Sequence, residues 1–116
     1  MKFIAVEEHK SSYPHPISFK KGEYLVAGKK DTEFEDWIWV TTNDGNQGWA
    51  PMQYLQLKEG TDKAVARQDY SAKELDTCVG DKLTLHYELN DWGWFEKSDG
   101  SCGWVPMKTT NRCMKE

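Results

Sequence analysis

The chain has 116 residues and a formal net charge of −4, a length that suits one average domain or two small ones. It contains no basic block, which argues against the broad positive surface that binding to a nucleic-acid duplex requires. The apolar run at the N-terminus is too short for a signal-peptide core and no stretch approaches a membrane span, so a cytoplasmic protein is expected.

Short strands separated by loops are predicted along the chain, with almost no helix. Residues 82–87 alternate Leu83, Leu85 and Tyr87 with polar residues, which is the period of a half-buried strand. Asp44-Gly45 and Asp99-Gly100 are typical of tight hairpin turns. In chain order, the predicted strands are residues 3–6, 24–27, 37–41, 48–51, 64–67, 82–87, 92–96 and 103–106.

An internal repeat organises these strands. Residues 36–52 align without gaps on residues 91–107, and nine of the 17 aligned positions are identical. Four of the strands placed above fall in each repeat, and five short strands per repeat are expected, which predicts an all-β protein made of two tandem five-stranded barrels. We expect them to occupy residues 1–57 and 62–112, with the boundary in the polar stretch between these ranges.

Strand parity sorts the tryptophans, of which the chain has six. If Val40 and Phe95 face the core, the tryptophans of the same strands face away from it. For Trp37 and Trp92 this predicts partly exposed rings with a ligand-facing role. Trp39 and Trp94 face the same way and could equally pack under loops or between the repeats.

The second repeat resembles an SH3 domain. Ala66-Arg-Gln-Asp-Tyr70 stands where that family has Ala-Leu-Tyr-Asp-Tyr, and Gly103-Trp-Val-Pro106 resembles its Gly-aromatic-aliphatic-Pro motif. In the first repeat, Gly48-Trp-Ala-Pro-Met-Gln-Tyr54 matches the same motif. The Trp-x-Trp pattern and Tyr13-Pro14-His15-Pro16 look most like the variant SH3 pairs of bacterial proteins.

The resemblance implies a non-enzymatic module that binds a protein or an extended Pro-containing or basic peptide. A polyproline II segment is already extended, so it loses little entropy when it docks between aromatic rings. Both grooves depart from the family pattern, since His9 and Thr109 replace expected tyrosines. The implied groove residues are Trp37, Trp49, Pro51 and Tyr54 in the first repeat and Tyr70, Trp92, Trp104 and Pro106 in the second.

Two other functions stay open: a structural or assembly role in which the Trp-rich faces pack between domains or subunits, and binding of glycan or cell wall. No cofactor, membrane partner or nucleic acid is expected, and the protein should be a monomer or weak dimer. The histidines are scattered, and His9 and His15 are more simply loop residues than metal ligands. Cys78 and Cys102 are expected to be unpaired, because three cysteines without a C-x-x-C pair indicate neither a disulfide framework nor a zinc knuckle.

Overall fold

The computed structural model describes residues 1–11, 15–33 and 35–113. Over these residues the protein is nearly all β-structure without an α-helix, and its two five-stranded sheets confirm the predicted fold class. No helix in the described part of the chain has the length and apolarity needed to cross a membrane. The strands are β1 (Lys2–Ala5), β2 (Ser18–Phe19), β3 (Tyr24–Lys30), β4 (Trp37–Thr41), β5 (Gln47–Pro51), β6 (Leu55–Leu57), β7 (Lys63–Ala66), β8 (Tyr70–Ser71), β9 (Lys82–Leu89), β10 (Trp92–Lys97), β11 (Cys102–Pro106) and β12 (Thr110–Arg112).

The chain folds into two compact units that do not coincide with the two sequence repeats. The split unit consists of Met1–Pro14 together with Lys73–Glu116, and the continuous unit is His15–Ala72. The sheet order is β11-β10-β9-β1-β12 in the split unit and β5-β4-β3-β7-β6 in the continuous unit. Each repeat therefore places its first strand in the sheet of the other repeat, in contrast to the expected boundaries at residues 1–57 and 62–112.

The polar stretch expected to separate two domains forms a hairpin loop instead. Strand β7 turns back antiparallel onto β6, with Leu57 opposite Ala64. The Lys58 N–H donates to the Lys63 carbonyl over 2.9 Å, and the Thr61 hydroxyl donates to the Lys58 carbonyl over 3.0 Å. Closing so short a loop costs less entropy than returning the strand across a whole repeat, so β7 pairs with its immediate neighbour in the chain.

The side chains of the two cores differ in size, and each first strand carries a side chain that fits the core of the unit it joins. In the split unit Phe3 of β1 meets Phe95 edge-on, with ring centroids 5.5 Å apart. A Cβ added to Gly93 would collide with the Phe95 ring and lie 2.8 Å from Met107 Sδ. The large ring therefore fills the space that a side chain at residue 93 would need.

In the continuous unit the same three positions carry Ala64, Ile38 and Val40, all of them buried. Small Ala64 stands where the split unit has Phe3, and the paired Ile38 and Val40 replace Gly93 and Phe95. One core thus combines two rings with a glycine, and the other combines medium aliphatic side chains with an alanine.

Exchange of the two cores' side chains tests this complementarity. We expect Gly93→Ile to lower the free energy of unfolding by about 1–3 kcal/mol, since it overpacks the site beside Phe95. The double variant Gly93→Ile/Phe95→Val should recover part of this loss, because it restores the combination found in the continuous unit. Urea unfolding of the three proteins measures both effects, and a double variant less stable than Gly93→Ile would contradict the argument.

Engineered disulfides test the strand exchange directly. Ile4 of β1 lies opposite Asn111 of β12, and antiparallel partners have Cα atoms about 4.5–5.5 Å apart, within the range that a disulfide spans. If each repeat closed its own barrel, Ile4 would instead lie opposite Gln56, which here faces Val65.

In a background with all native cysteines replaced by serine, Ile4→Cys/Asn111→Cys should oxidise within the monomer, and Ile4→Cys/Gln56→Cys should not. Non-reducing electrophoresis and intact mass read out the bond. The reverse result would show that the repeats, not the exchanged units, form the barrels.

Both predicted hairpin turns are confirmed between β4 and β5 and between β10 and β11. Gly100 has φ +89°, a region that glycine adopts without steric cost and that such turns require. The Ser101 hydroxyl donates to the Asp99 carboxylate and holds the pKa of Asp99 below its ordinary value. The Thr42 hydroxyl does the same for the pKa of Asp44, so each turn is closed by its own aspartate.

Candidate functional site

The continuous unit brings together predicted groove residues from both repeats. Trp37 lies at the start of β4 opposite Pro51 of β5, and Pro51 leads directly into a short 3-10 helix, Met52–Tyr54. Tyr70 of β8 meets Tyr54 edge-on, with ring centroids 5.7 Å apart, and its hydroxyl donates to the Trp49 carbonyl over 3.3 Å. Tyr70 was expected to share a groove with Trp92, Trp104 and Pro106, and the structure places it in the other unit.

The strand exchange is the cause of this relocation. Strand β7 ends at Ala66, and the chain that follows it stays on the continuous unit. There the Arg67 N–H donates to the Tyr54 carbonyl over 2.7 Å, and Tyr70 pairs with Phe19 of β2. The Tyr of the second repeat's motif therefore faces the late Tyr of the first repeat.

The split unit has no tyrosine at the two equivalent positions. His9 stands where the continuous unit has Tyr70, and its Nε2 lies 2.8 Å from Glu74 Oε1. The His9 ring contacts the Trp92 ring edge-on at 5.6 Å. Thr109, at the position of Tyr54, is buried and donates its hydroxyl to the Pro106 carbonyl over 2.8 Å. In place of two tyrosines, this unit has an imidazole against the Trp92 ring and a buried hydroxyl bound to the Pro106 carbonyl.

Burial divides the eight predicted groove residues into two groups. Val40 and Phe95 are fully buried, which confirms the parity used to orient the tryptophans. Even so, Trp37 is only 6% exposed, so the expectation of a partly exposed ring is wrong for this residue. The buried members of the set are Trp37, Pro51, Tyr70, Trp104 and Pro106, and the half-buried members are Trp49, Tyr54 and Trp92.

The second tryptophan of each Trp-x-Trp pattern packs against the neighbouring strand. Trp39 lies opposite Trp49 in the ladder, with ring centroids 5.1 Å apart. Trp94 lies opposite Trp104 at 5.4 Å in the same edge-on geometry. Such cross-strand aromatic pairs add about 0.5–1.5 kcal/mol beyond the area they bury. Four of the six tryptophans thus stabilise the sheets on which they lie.

Acidic residues lie in the loop that leads into Trp37. Asp36 has φ +67°, and its carbonyl accepts the Met52 N–H over 2.8 Å. Aspartate tolerates this left-handed conformation better than most residues, so the loop is fixed immediately before β4. Glu33, Glu35 and Asp36 are exposed and give the entrance to this strand a negative charge. Burial raises the pKa of the Tyr54 phenol above its ordinary value, which keeps the phenol neutral.

One group of potential metal ligands was not recognised in the sequence. Donor atoms of His86, Glu96 and Cys102 lie within 4.8 Å of one another on the split unit, the only such set of three among the described residues. His9 and His15, the pair considered from the sequence, belong to different units. All three cysteines are free thiols in the structure. A sequence signal for the new group was missing because its three members come from three different strands.

Truncation of the two groove tryptophans should separate their roles. We expect Trp37→Ala to lower the free energy of unfolding by about 3–5 kcal/mol, as for a core aromatic residue. Trp92→Ala should cost about 1–2 kcal/mol, because the Trp92 ring is only half-buried. Chemical unfolding of both variants makes the comparison, and equal losses would show that exposure does not distinguish the two rings.

A comparison with known protein families finds a match over the first repeat. Residues 2–58 match the family model of the variant SH3 domain. No significant match was found among curated proteins or among solved structures. SH3-type domains are in general non-catalytic modules that bind proteins or peptides. The matched segment spans one repeat, and its residues are divided between the two units.

Proposed function

We propose that this protein is a non-enzymatic interaction module and that its continuous unit binds an extended Pro-containing or basic peptide. The observation that carries the proposal is the edge-on pair of Tyr54 and Tyr70, held beside the Trp49 carbonyl. Both rings belong to positions that SH3-type grooves use for ligand contact, although they come from different repeats.

The geometry suits a polyproline II ligand. The faces of aromatic rings are flat apolar surfaces, and a proline ring of an already extended segment packs against them without losing much conformational entropy. The Tyr70 ring is fixed by its hydrogen bond to Trp49 and by the tilted contact with Phe19, at a centroid distance of 5.3 Å. Tyr54 is half-buried and offers the more accessible ring. The aromatic surface is therefore organised before a ligand arrives, which lowers the cost of binding.

The charge near the groove favours a basic residue beside the prolines. Glu33, Glu35 and Asp36 are exposed at the loop before Trp37, and the whole chain carries −4. Attraction between this loop and a ligand Arg or Lys should raise the association rate and weaken with salt. This feature favours peptides with flanking basic residues over neutral or acidic ones.

Titration with peptides tests the proposal. Proline-containing peptides that carry Arg or Lys should shift amide resonances of the continuous unit in ¹H–¹⁵N spectra, and the same peptides with Glu in place of the basic residue should bind more weakly. Tyr54→Ala should weaken the best peptide by about 2 kcal/mol, roughly 30-fold, as expected for a central aromatic anchor. Thr109→Ala, at the equivalent position of the split unit, is the matched control and should leave this affinity unchanged.

Absence of binding across the panel, or equal loss in Tyr54→Ala and Thr109→Ala, would contradict the proposal. A second function is favoured by one observation, the 6% exposure of Trp37. A buried tryptophan at this position serves a structural or assembly role better than direct stacking on a ligand. If Tyr54→Ala leaves every interaction intact while Trp37→Ala unfolds the protein, the structural role is the better description.

A further inference from the structure

We propose that the split unit carries a binding site for zinc(II) or a similar borderline metal ion, formed by His86, Glu96 and Cys102. The argument begins with the register of the sheet. Glu96 of β10 lies directly opposite Cys102 of β11, and opposite residues of an antiparallel pair project from the same face of the sheet. The strand pairing alone therefore makes Glu96 and Cys102, two of the three donors, neighbours on one face of the sheet.

A β-bulge supplies the third donor. On β9 Leu85 lies opposite Phe95, but Tyr87 rather than His86 lies opposite Trp94, so the register shifts by one residue at His86. In a regular ladder His86 would stand across from Trp94. Because of the bulge, Tyr87 takes that position, and its ring stacks on Trp94 with centroids 6.3 Å apart. The His86 side chain is directed toward Glu96 instead. Bulges commonly redirect one side chain in this way.

The three donor atoms lie close enough together for one metal ion to bind all of them. His86 Nε2 lies 2.9 Å from Glu96 Oε1, and the donor atoms of all three residues lie within 4.8 Å of one another. Bond lengths to zinc of about 2.0–2.3 Å place tetrahedral ligands roughly 3.3–3.8 Å apart. The His86 and Glu96 side chains are 43% and 39% exposed, so they have room to rotate by the small amount required.

The donor types select the class of metal. Calcium and magnesium prefer all-oxygen ligands, whereas a thiolate, an imidazole and a carboxylate together suit zinc and its neighbours in the first transition row. Three protein ligands leave one tetrahedral position open for water. On binding, the Cys102 thiol would release its proton to solvent, since the thiolate is the ligand.

The first repeat provides an internal comparison. Thr41 and Gln47 occupy the positions of Glu96 and Cys102, and the Gln47 amide donates to the Thr41 hydroxyl over 3.1 Å. The same ladder position that holds a carboxylate and a thiol in the split unit holds two neutral polar groups in the continuous unit. The protein should therefore bind one metal ion per chain, at the split unit alone.

Cobalt(II) titration of the purified chain under non-thiol reductant tests the site, with Cys78→Ser/Cys113→Ser as the reference protein. We expect one equivalent of cobalt to give a tetrahedral spectrum with a thiolate-to-cobalt charge-transfer band, and zinc to displace it. Adding Cys102→Ser should abolish the band. Adding His86→Ala or Glu96→Gln should weaken cobalt binding at least ten-fold, whereas His15→Gln, at an exposed histidine of the continuous unit, should leave it unchanged.

Alkylation of the wild-type chain gives a readout that needs no substitution at the site. Zinc should slow the reaction of Cys102 with iodoacetamide at least ten-fold and leave Cys78 and Cys113 unaffected, as located by peptide mass. The proposal is overturned if the charge-transfer band survives Cys102→Ser, if no band forms, if His86→Ala and Glu96→Gln bind as tightly as the reference, or if zinc protects all three thiols equally.

Discussion

The structure depends on the pairing of β7 with β6 across the loop at residues 58–62. Once the second repeat's first strand is used in this hairpin, it cannot close the barrel of its own repeat. The vacant position in that sheet is taken by β1, which pairs with β9 and β12. A short connection between two similar sequences thus decides which strands share a sheet, because the nearest complementary edge is reached at the lowest loop entropy.

The exchange redistributes the aromatic residues unequally. Tyr70 follows β7 into the continuous unit and meets Tyr54, while His9 follows β1 into the split unit and meets Trp92. Two similar repeats therefore give two different surfaces, one with a pair of tyrosines and one with a histidine–carboxylate pair. A binding role in the first unit and a different role in the second are compatible with one duplicated fold.

Differences between the repeats also reach the core and the outer face of the sheets. Phe95 requires glycine at residue 93, while Val40 allows Ile38, so each core is packed by its own combination. On the outer face, both sheets shift register by one residue at equivalent places, but Gly28 stands where β9 has His86, which brings a nitrogen donor to Glu96. The two repeats share the same strand pairing and turns. Different side chains at equivalent positions give the two sheets different core packing and different polar groups.

The sequence by itself determined the repeat, the all-β class and the two Asp-Gly hairpins, and it placed Val40 and Phe95 on the strand face opposite to the tryptophans. These follow from local rules, since strand alternation and turn preferences act over a few residues. Tertiary structure alone decided which repeat receives β1 and β7, where Tyr70 lies, and that His86 approaches Glu96. Two repeats with the same strand pattern can satisfy the same backbone hydrogen bonds in either pairing, so the choice depends on loop closure and on the fit of side chains such as Phe3 in one particular core.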